Sequence, residues 1–191
     1  MVDYFPLEPG AKRIMRVHQR LIAGKDTTET TQVRPVEVVQ GERDIPGLGK
    51  VRVVEAPRDS GPSNYTFFRK QDDGVMQLLP GREGKPPMEM LYLMLPLAKG
   101  LKWYDTKAQR EMMEVTAKES VTVDAGSYPD CFEVVVTSTK MDWSMRQWLA
   151  PNIGAVRWEN KASWVGKDGV NRQLIRTGEL VEYQVPAKKQ K

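Results

Sequence analysis

A chain of 191 residues, 40% hydrophobic and 28% charged, suffices for one domain with a real core and is short for two. It carries no apolar run near the roughly 18 residues that span a bilayer, and no basic-then-apolar leader opens it as written. Of the formal net charge of +4, Lys188, Lys189 and Lys191 in the terminal "PAKKQK" supply three units, so nucleic acid is not an expected partner of the folded body.

Taken in chain order, the dominant period is two rather than 3.6. The stretches "KRIMRVHQRLI", "TQVRPVEVVQ", "KVRVVEA", "NYTFFRK" and "VMQLL" read as strands, separated by "GERDIPGLG", "PRDSGPS" and "DDG". "PGREGKPP", from Pro80 to Pro87, reads as a loop. "PLEPGAK" at Pro6–Lys12 and "PLAKGLK" at Pro96–Lys102 share Pro-Leu-x-x-Gly-x-Lys, each leading into a strand. The echo marks either two similar halves of a sheet or a recurrent way of starting a strand.

The second half is more regular. Met113, Val115, Ala117, Val121 and Val123 share one face of a long strand, with Glu119 as the misfit where a bulge belongs. A helix competes for "AQREMMEV", but the Thr and Val content beyond it favours strand. "AGSYPD" turns the chain, and Phe132, Val134 and Val136 form the apolar face of the next strand. "MRQWLA" must stop at Ala150, because Pro151 lacks an amide hydrogen and Asn152 and Gly154 suit turn dihedrals. Beyond this corner Val156, Trp158, Ala162 and Trp164 share a face, "GKDGVN" makes a hairpin turn, and Ile175, Val181, Tyr183 and Val185 line the last strand. The expected fold class is mainly β: an open, curved antiparallel sheet or half-barrel built as a meander, with little helix. The expected domain runs over 1–185, followed by a flexible basic tail at 186–191.

Chemistry is sparse. His18, the one histidine, lies in a strand between arginines, as a surface or hydrogen-bonded residue does, which leaves Ser-His-acid and Cys-His catalysis without support. Cys131, the single cysteine, excludes an internal disulfide and reads as a packed core thiol inside "CFEVVV". One His and one Cys cannot make the usual zinc sets. Met88, Met90, Met94, Met112 and Met113 invite a copper reading, but thioethers more often fill core gaps. No cofactor and no metal is therefore expected. "GREGK" lacks the spacing and the following helix of a phosphate loop, since Pro86 and Pro87 come next. Among 25 acidic residues no carboxylate pair is singled out, so no catalytic residue is named. The aromatics are the candidate ligand-binding residues: Trp103, Trp143, Trp148, Trp158, Trp164 and Tyr65, unless they are core.

"YFPLEPGAKRIMRV", "LPLAKGLKW", "VTVDAGSYPDCFEVVV" and "WLAPNIGAVRWE" with "ELVEYQV" resemble, in this order, segments of a family of uncharacterised bacterial secreted proteins and lipoprotein-like chains. That family has a Phe-Pro-Leu opening, an Ala-Gly hairpin before a cysteine, and an Ala-Pro corner. Arg13 and Met15 stand where it carries an aromatic pair, and Asn152 where it usually has Gly. The resemblance implies a curved antiparallel sheet in the periplasm or cell envelope, although a chain starting at Met1 would be cytoplasmic. It implies no catalytic residue. The expected function is non-catalytic: a hydrophobic small molecule or a protein partner held in a groove of the curved sheet. The alternative is a hydrolase using carboxylates without a motif.

Overall fold

The structure is a computed structural model describing residues 2–58, 61–80, 87–106 and 108–186. Twelve strands and no helix occur among them. They are β1 (Lys12–Ala23), β2 (Asp26–Ile45), β3 (Gly49–Ala56), β4 (Asn64–Gln71), β5 (Gly74–Leu79), β6 (Met88–Met94), β7 (Lys102–Tyr104), β8 (Glu111–Val123), β9 (Gly126–Ser138), β10 (Trp143–Ala150), β11 (Gly154–Val165) and β12 (Asn171–Gln184). All pair antiparallel in one sheet of order β6-β5-β4-β3-β2-β1-β12-β11-β10-β9-β8-β7. Two six-stranded meanders, β1–β6 and β7–β12, are thus joined through the β1–β12 pairing. The twist of so many strands curls the sheet on itself, bringing its edges β6 and β7 together, where the Leu91 N–H donates to the Asp105 carbonyl at 2.7 Å. The mainly β meander is as expected, and the sheet curls further than a half-barrel, into a nearly closed barrel.

Several expectations are corrected by register. The separator expected at "GERDIPGLG" is mostly strand: β2 runs on to Ile45 through a register shift between Val39 and Gly41. Gly41, at φ 102°, supplies that bulge without a Cβ penalty. The strand begins early as well, at Asp26, because "DTTETT" pairs fully with β1 although it has no apolar alternation. Pro35, which cannot donate, sits beside a register shift between Arg13 and Ile14. "MEMLYLM" is β6, a strand that its methionines did not signal. In β12 only Tyr183 of the expected face Ile175-Val181-Tyr183-Val185 packs inward. Arg176, Gly178 and Leu180 face the interior until a shift opposite Ile14 and Met15 changes the alternation, and Val185 lies beyond the strand, 46% exposed. The bulge expected at Glu119 lies between Glu119 and Val121. The loop expected over Pro80–Pro87 and the tail beyond Pro186 fall mostly outside the described residues.

The shared Pro-Leu-x-x-Gly motif makes one and the same turn twice. At Gly10 the N–H donates to the Val39 carbonyl at 2.6 Å, Ala11 N–H donates to Glu8 O, and Ala11 O accepts from Val39 N–H. At Gly100 the N–H donates to the Val115 carbonyl at 2.8 Å, Leu101 N–H donates to Ala98 O, and Leu101 O accepts from Val115 N–H. Both glycines have positive φ, 82° and 87°. The echo therefore marks two similarly opened halves.

Residues 2–9 cross the barrel as a strap. Phe5 and Leu7 are buried, Phe5 meets Phe68 edge-on and lies tilted against Tyr92, and Tyr4 meets Phe132. Asp3 holds the strap at both sides, pairing with Lys70 and accepting through its carbonyl from Asn152 N–H. The Pro151 corner is thus a docking point for the N terminus. Asn152 and Gly154 hold φ of 61° and 85° there, and a Cβ on Gly154 would lie 2.5 Å from the Arg13 guanidinium. That guanidinium, buried, donates to the Ile153 carbonyl at 2.7 and 3.0 Å and pairs with Glu37 at 2.5 Å.

Candidate functional site

Inside the barrel, beside the strap, lies a cavity of about 530 Å³. Its walls come from both meanders: Met15, Arg34 and Val36 of β1 and β2, Ala56 and Asn64 of β3 and β4, Tyr92 of β6, and Met145, Leu149, Trp158 and Arg176 of β10–β12. The volume is within the range of small-ligand sites, roughly 300–1,000 Å³. Trp158 is positioned by Gly178, its register partner on β12. A Cβ on that glycine would meet the indole at 2.4 Å, so the ring lies flat on bare backbone. Its Nε1–H donates to the Met15 sulfur at 3.2 Å.

The lining is charged as well as apolar. It holds four arginines, Arg13, Arg34, Arg58 and Arg176, against one carboxylate, Glu37, which Arg13 occupies. Arg58 donates to the Asn64 side-chain oxygen at 2.6 Å. Arg34 donates one Nη1–H to the Pro57 carbonyl at 3.0 Å, while the buried Nε atoms of Arg34 and Arg176 have no partner among the described residues. Burial first, and the neighbouring Arg34 charge second, press the Arg176 guanidinium below its ordinary value. Burial first, and the Glu37 charge next, raise the Tyr92 phenol well above its own. Tyr92 and Gln147 meet across the interior at 3.4 Å.

The six aromatics named from the sequence are not gathered at one site. Trp158 lines the large cavity. Trp143 lines a second space of about 190 Å³ near the β6–β7 seam, with Met90, Met113 and Met145. Trp103 and Trp148 are buried in the core, Trp148 donating to the Glu119 carboxylate at 2.7 Å with Arg157 over its ring. Trp164 and Tyr65 are 43% and 52% exposed and line neither cavity. Sequence reasoning missed Arg34 and Arg176. A usable signal was present: each is an arginine in phase with small or apolar positions, Arg34 with Val36 and Arg176 with Gly178 and Leu180.

Other chemistry resolves into structure. His18 Nδ1 meets the Thr31 hydroxyl at 2.9 Å on the surface. Cys131 is buried, and burial pushes its thiol up to about 11. Asp105 and Glu111 share the smaller space, and burial first, then the Asp105 charge, raises the Glu111 carboxyl. Asp105 is itself taken up by the amides of Arg110 and Glu111 at 3.0 and 3.1 Å. Among the described residues no cluster of His, Cys, Asp and Glu is placed to hold a metal ion, and no helix is long and apolar enough to cross a membrane. The pairs Arg16–Asp124, Arg20–Glu29, Lys102–Glu114, Lys118–Asp130 and Arg157–Glu179 cover the sheet's exposed side with charge.

No family model matches the chain, and no curated protein matches it either. Among solved structures it is similar to a protein from Bacteroides fragilis predicted to be exported and described as having a YmcC-like fold. The TM-score is 0.50 at 18% identity, over 97% of this chain and 100% of that one. At that identity the likeness is one of fold.

Proposed function

We propose that this chain is a non-catalytic binding protein of the bacterial cell envelope that takes a small hydrophobic or amphipathic ligand into its barrel. The observation that carries the reading is the interior cavity itself: about 530 Å³, walled by both meanders, with Trp158, Met15 and Leu149 on its surface. An envelope location has the support of the similar Bacteroides protein's expected export and of the resemblance carried by the chain's own motifs. A hydrolase has less support, because carboxylates at the cavities are engaged: Asp105, beside Glu111, is held by backbone amides, and Asp3 and Glu42, at another cavity, pair with Lys70 and Arg52.

The test is binding of the neutral dye Nile red, read by fluorescence, to the wild-type chain and to Ala56→Trp. Ala56 lines the cavity at the end of β3, where a large side chain fills space and leaves the core alone. Saturable binding to the wild type, weakened roughly tenfold or more by the filling substitution at unchanged melting temperature, supports the reading. Absence of binding, or equal binding by both chains, refutes it.

A further inference from the structure

A ligand for this cavity has to answer for its charge as well as its volume. Arg34 comes from β2 and Arg176 from β12, one strand on either side of β1. Both side chains enter the same space, and each leaves a buried Nε without a partner among the described residues. They are close enough for the charge of one to disfavour the charge of the other. The carboxylate on the wall is already committed to Arg13. Like charges brought together in a partly dehydrated space repel unless something of opposite sign joins them. The planar, multi-donor guanidinium suits carboxylate and phosphate oxygens in particular. Asn160, the register partner of Arg176, adds a polar side chain to the same wall. The lining also holds apolar side chains, Phe5, Met145, Leu149 and Trp158.

We infer that the cavity is a site for an amphipathic anion, its carboxylate or phosphate head held between Arg34 and Arg176 and its apolar body laid along Leu149, Met145 and Trp158. The inference rests on the binding function proposed above and adds the ligand's chemical class and head-group residues. A neutral hydrophobe uses half of the site; a free inorganic anion uses the other half.

Four probes separate these cases by isothermal titration calorimetry on the wild-type chain: laurate, lauryl phosphate, lauryl alcohol and inorganic phosphate. Laurate and lauryl phosphate are expected to bind roughly tenfold or more tighter than lauryl alcohol, and inorganic phosphate to bind weakly. A preference of laurate over lauryl phosphate identifies the head as a carboxylate, and the reverse identifies it as a phosphoryl group. The preference should weaken with added salt and fall towards unity in Arg34→Gln/Arg176→Gln. Arg176→Met alone gives a second reading, with an unchanged or raised melting temperature, because it relieves the repulsion between two partly buried like charges. A site that ranks lauryl alcohol equal to laurate while still binding Nile red overturns the anion assignment and leaves the binding function standing. Inorganic phosphate as tight as lauryl phosphate overturns the amphipathic part. A head-group preference that survives the double substitution overturns the role of the two arginines.

Discussion

At Gly10 and at Gly100 the chain makes the same hydrogen-bonded turn, and three residues after each glycine a large side chain goes inside: Arg13 in the first meander, Trp103 in the second. Both are 4% exposed, yet they are held in different ways. Arg13 is satisfied by Glu37 and by the Ile153 carbonyl, so it ties β1 to the Pro151 corner. The Trp103 indole N–H has no partner among the described residues, so that side chain contributes area and shape. One backbone solution thus supports a polar latch in one half and apolar packing in the other. The same turn can therefore deliver either a polar or an apolar side chain to the interior: Arg13 in the first meander stands where the second has Trp103.

Substitutions at the Pro151 corner, at the two inward side chains and at the two turns test that contrast. The largest effect is expected from Gly154→Val. Positive φ makes this position strained for valine, about 1–3 kcal/mol, and the new side chain would also displace the Arg13 guanidinium 2.5 Å from its Cβ. Moving buried Arg13 off the Ile153 carbonyl and the partly exposed Glu37 adds about 1–3 kcal/mol. Urea unfolding should therefore show a loss larger than that of any other variant here, and a loss under about 1 kcal/mol would mean that Arg13 is not the latch. Next come Arg13→Lys and Trp103→Phe, which separate fork from area. Lysine loses the bidentate geometry and should cost about 1–3 kcal/mol, whereas phenylalanine keeps most of the volume and should cost less than about 1.5 kcal/mol. Equal costs would erase the distinction between the halves. Gly10→Ala and Gly100→Ala follow, at about 1–3 kcal/mol each. Gly10 should be the more sensitive, because a Cβ there meets Pro186 at 2.6 Å while Gly100 has open space.

The smallest effect is one of pH. Cys131 ionises near 11 in the folded chain and near its model-compound value of 9.0 when unfolded. As pH rises from 9 towards 11 the unfolded state loses this proton first, so stability falls across that window and is unaffected below it. Cys131→Ala should flatten that part of the stability profile. Thiol labelling of the native wild type should be slow at neutral pH and fast after denaturation. Rapid native labelling would place the sulfur at the surface instead of in the core.

The sequence made the second meander more legible than the first, for a physical reason. In β8–β11 the apolar faces are long and the stops are a proline and glycines, which act locally, so the strands were legible although β8 and β10 carry register shifts of their own. In β2 the first third is "DTTETT", exposed and held by pairing to β1 alone, so no side-chain pattern records it. A bulge at Gly41 hides the rest of β2, and a shift opposite Met15 does the same in β12. There a strand read with unbroken period two puts Ile175 on the side of Tyr183, although Arg176, Gly178 and Leu180 face inward. The cavity was less legible still. Of the aromatics proposed from sequence only Trp158 reaches it, because residue type says that a ring is buried and not which side of a closing barrel it faces. Arg34 and Arg176 lie 142 positions apart and become neighbours only through the β2-β1-β12 order, which sequence alone did not supply.

Whether a small amphipathic anion occupies the barrel interior can be seen by crystallography. Crystals of the chain grown with a bromine-labelled laurate would locate the bromine by its anomalous signal. Density is expected inside the cavity, with the carboxylate against Arg34 and Arg176 and the bromine near Met145, Leu149 or Trp158. Bromine found only on the exposed side of the sheet, or a cavity holding nothing but water at saturating laurate, would contradict it.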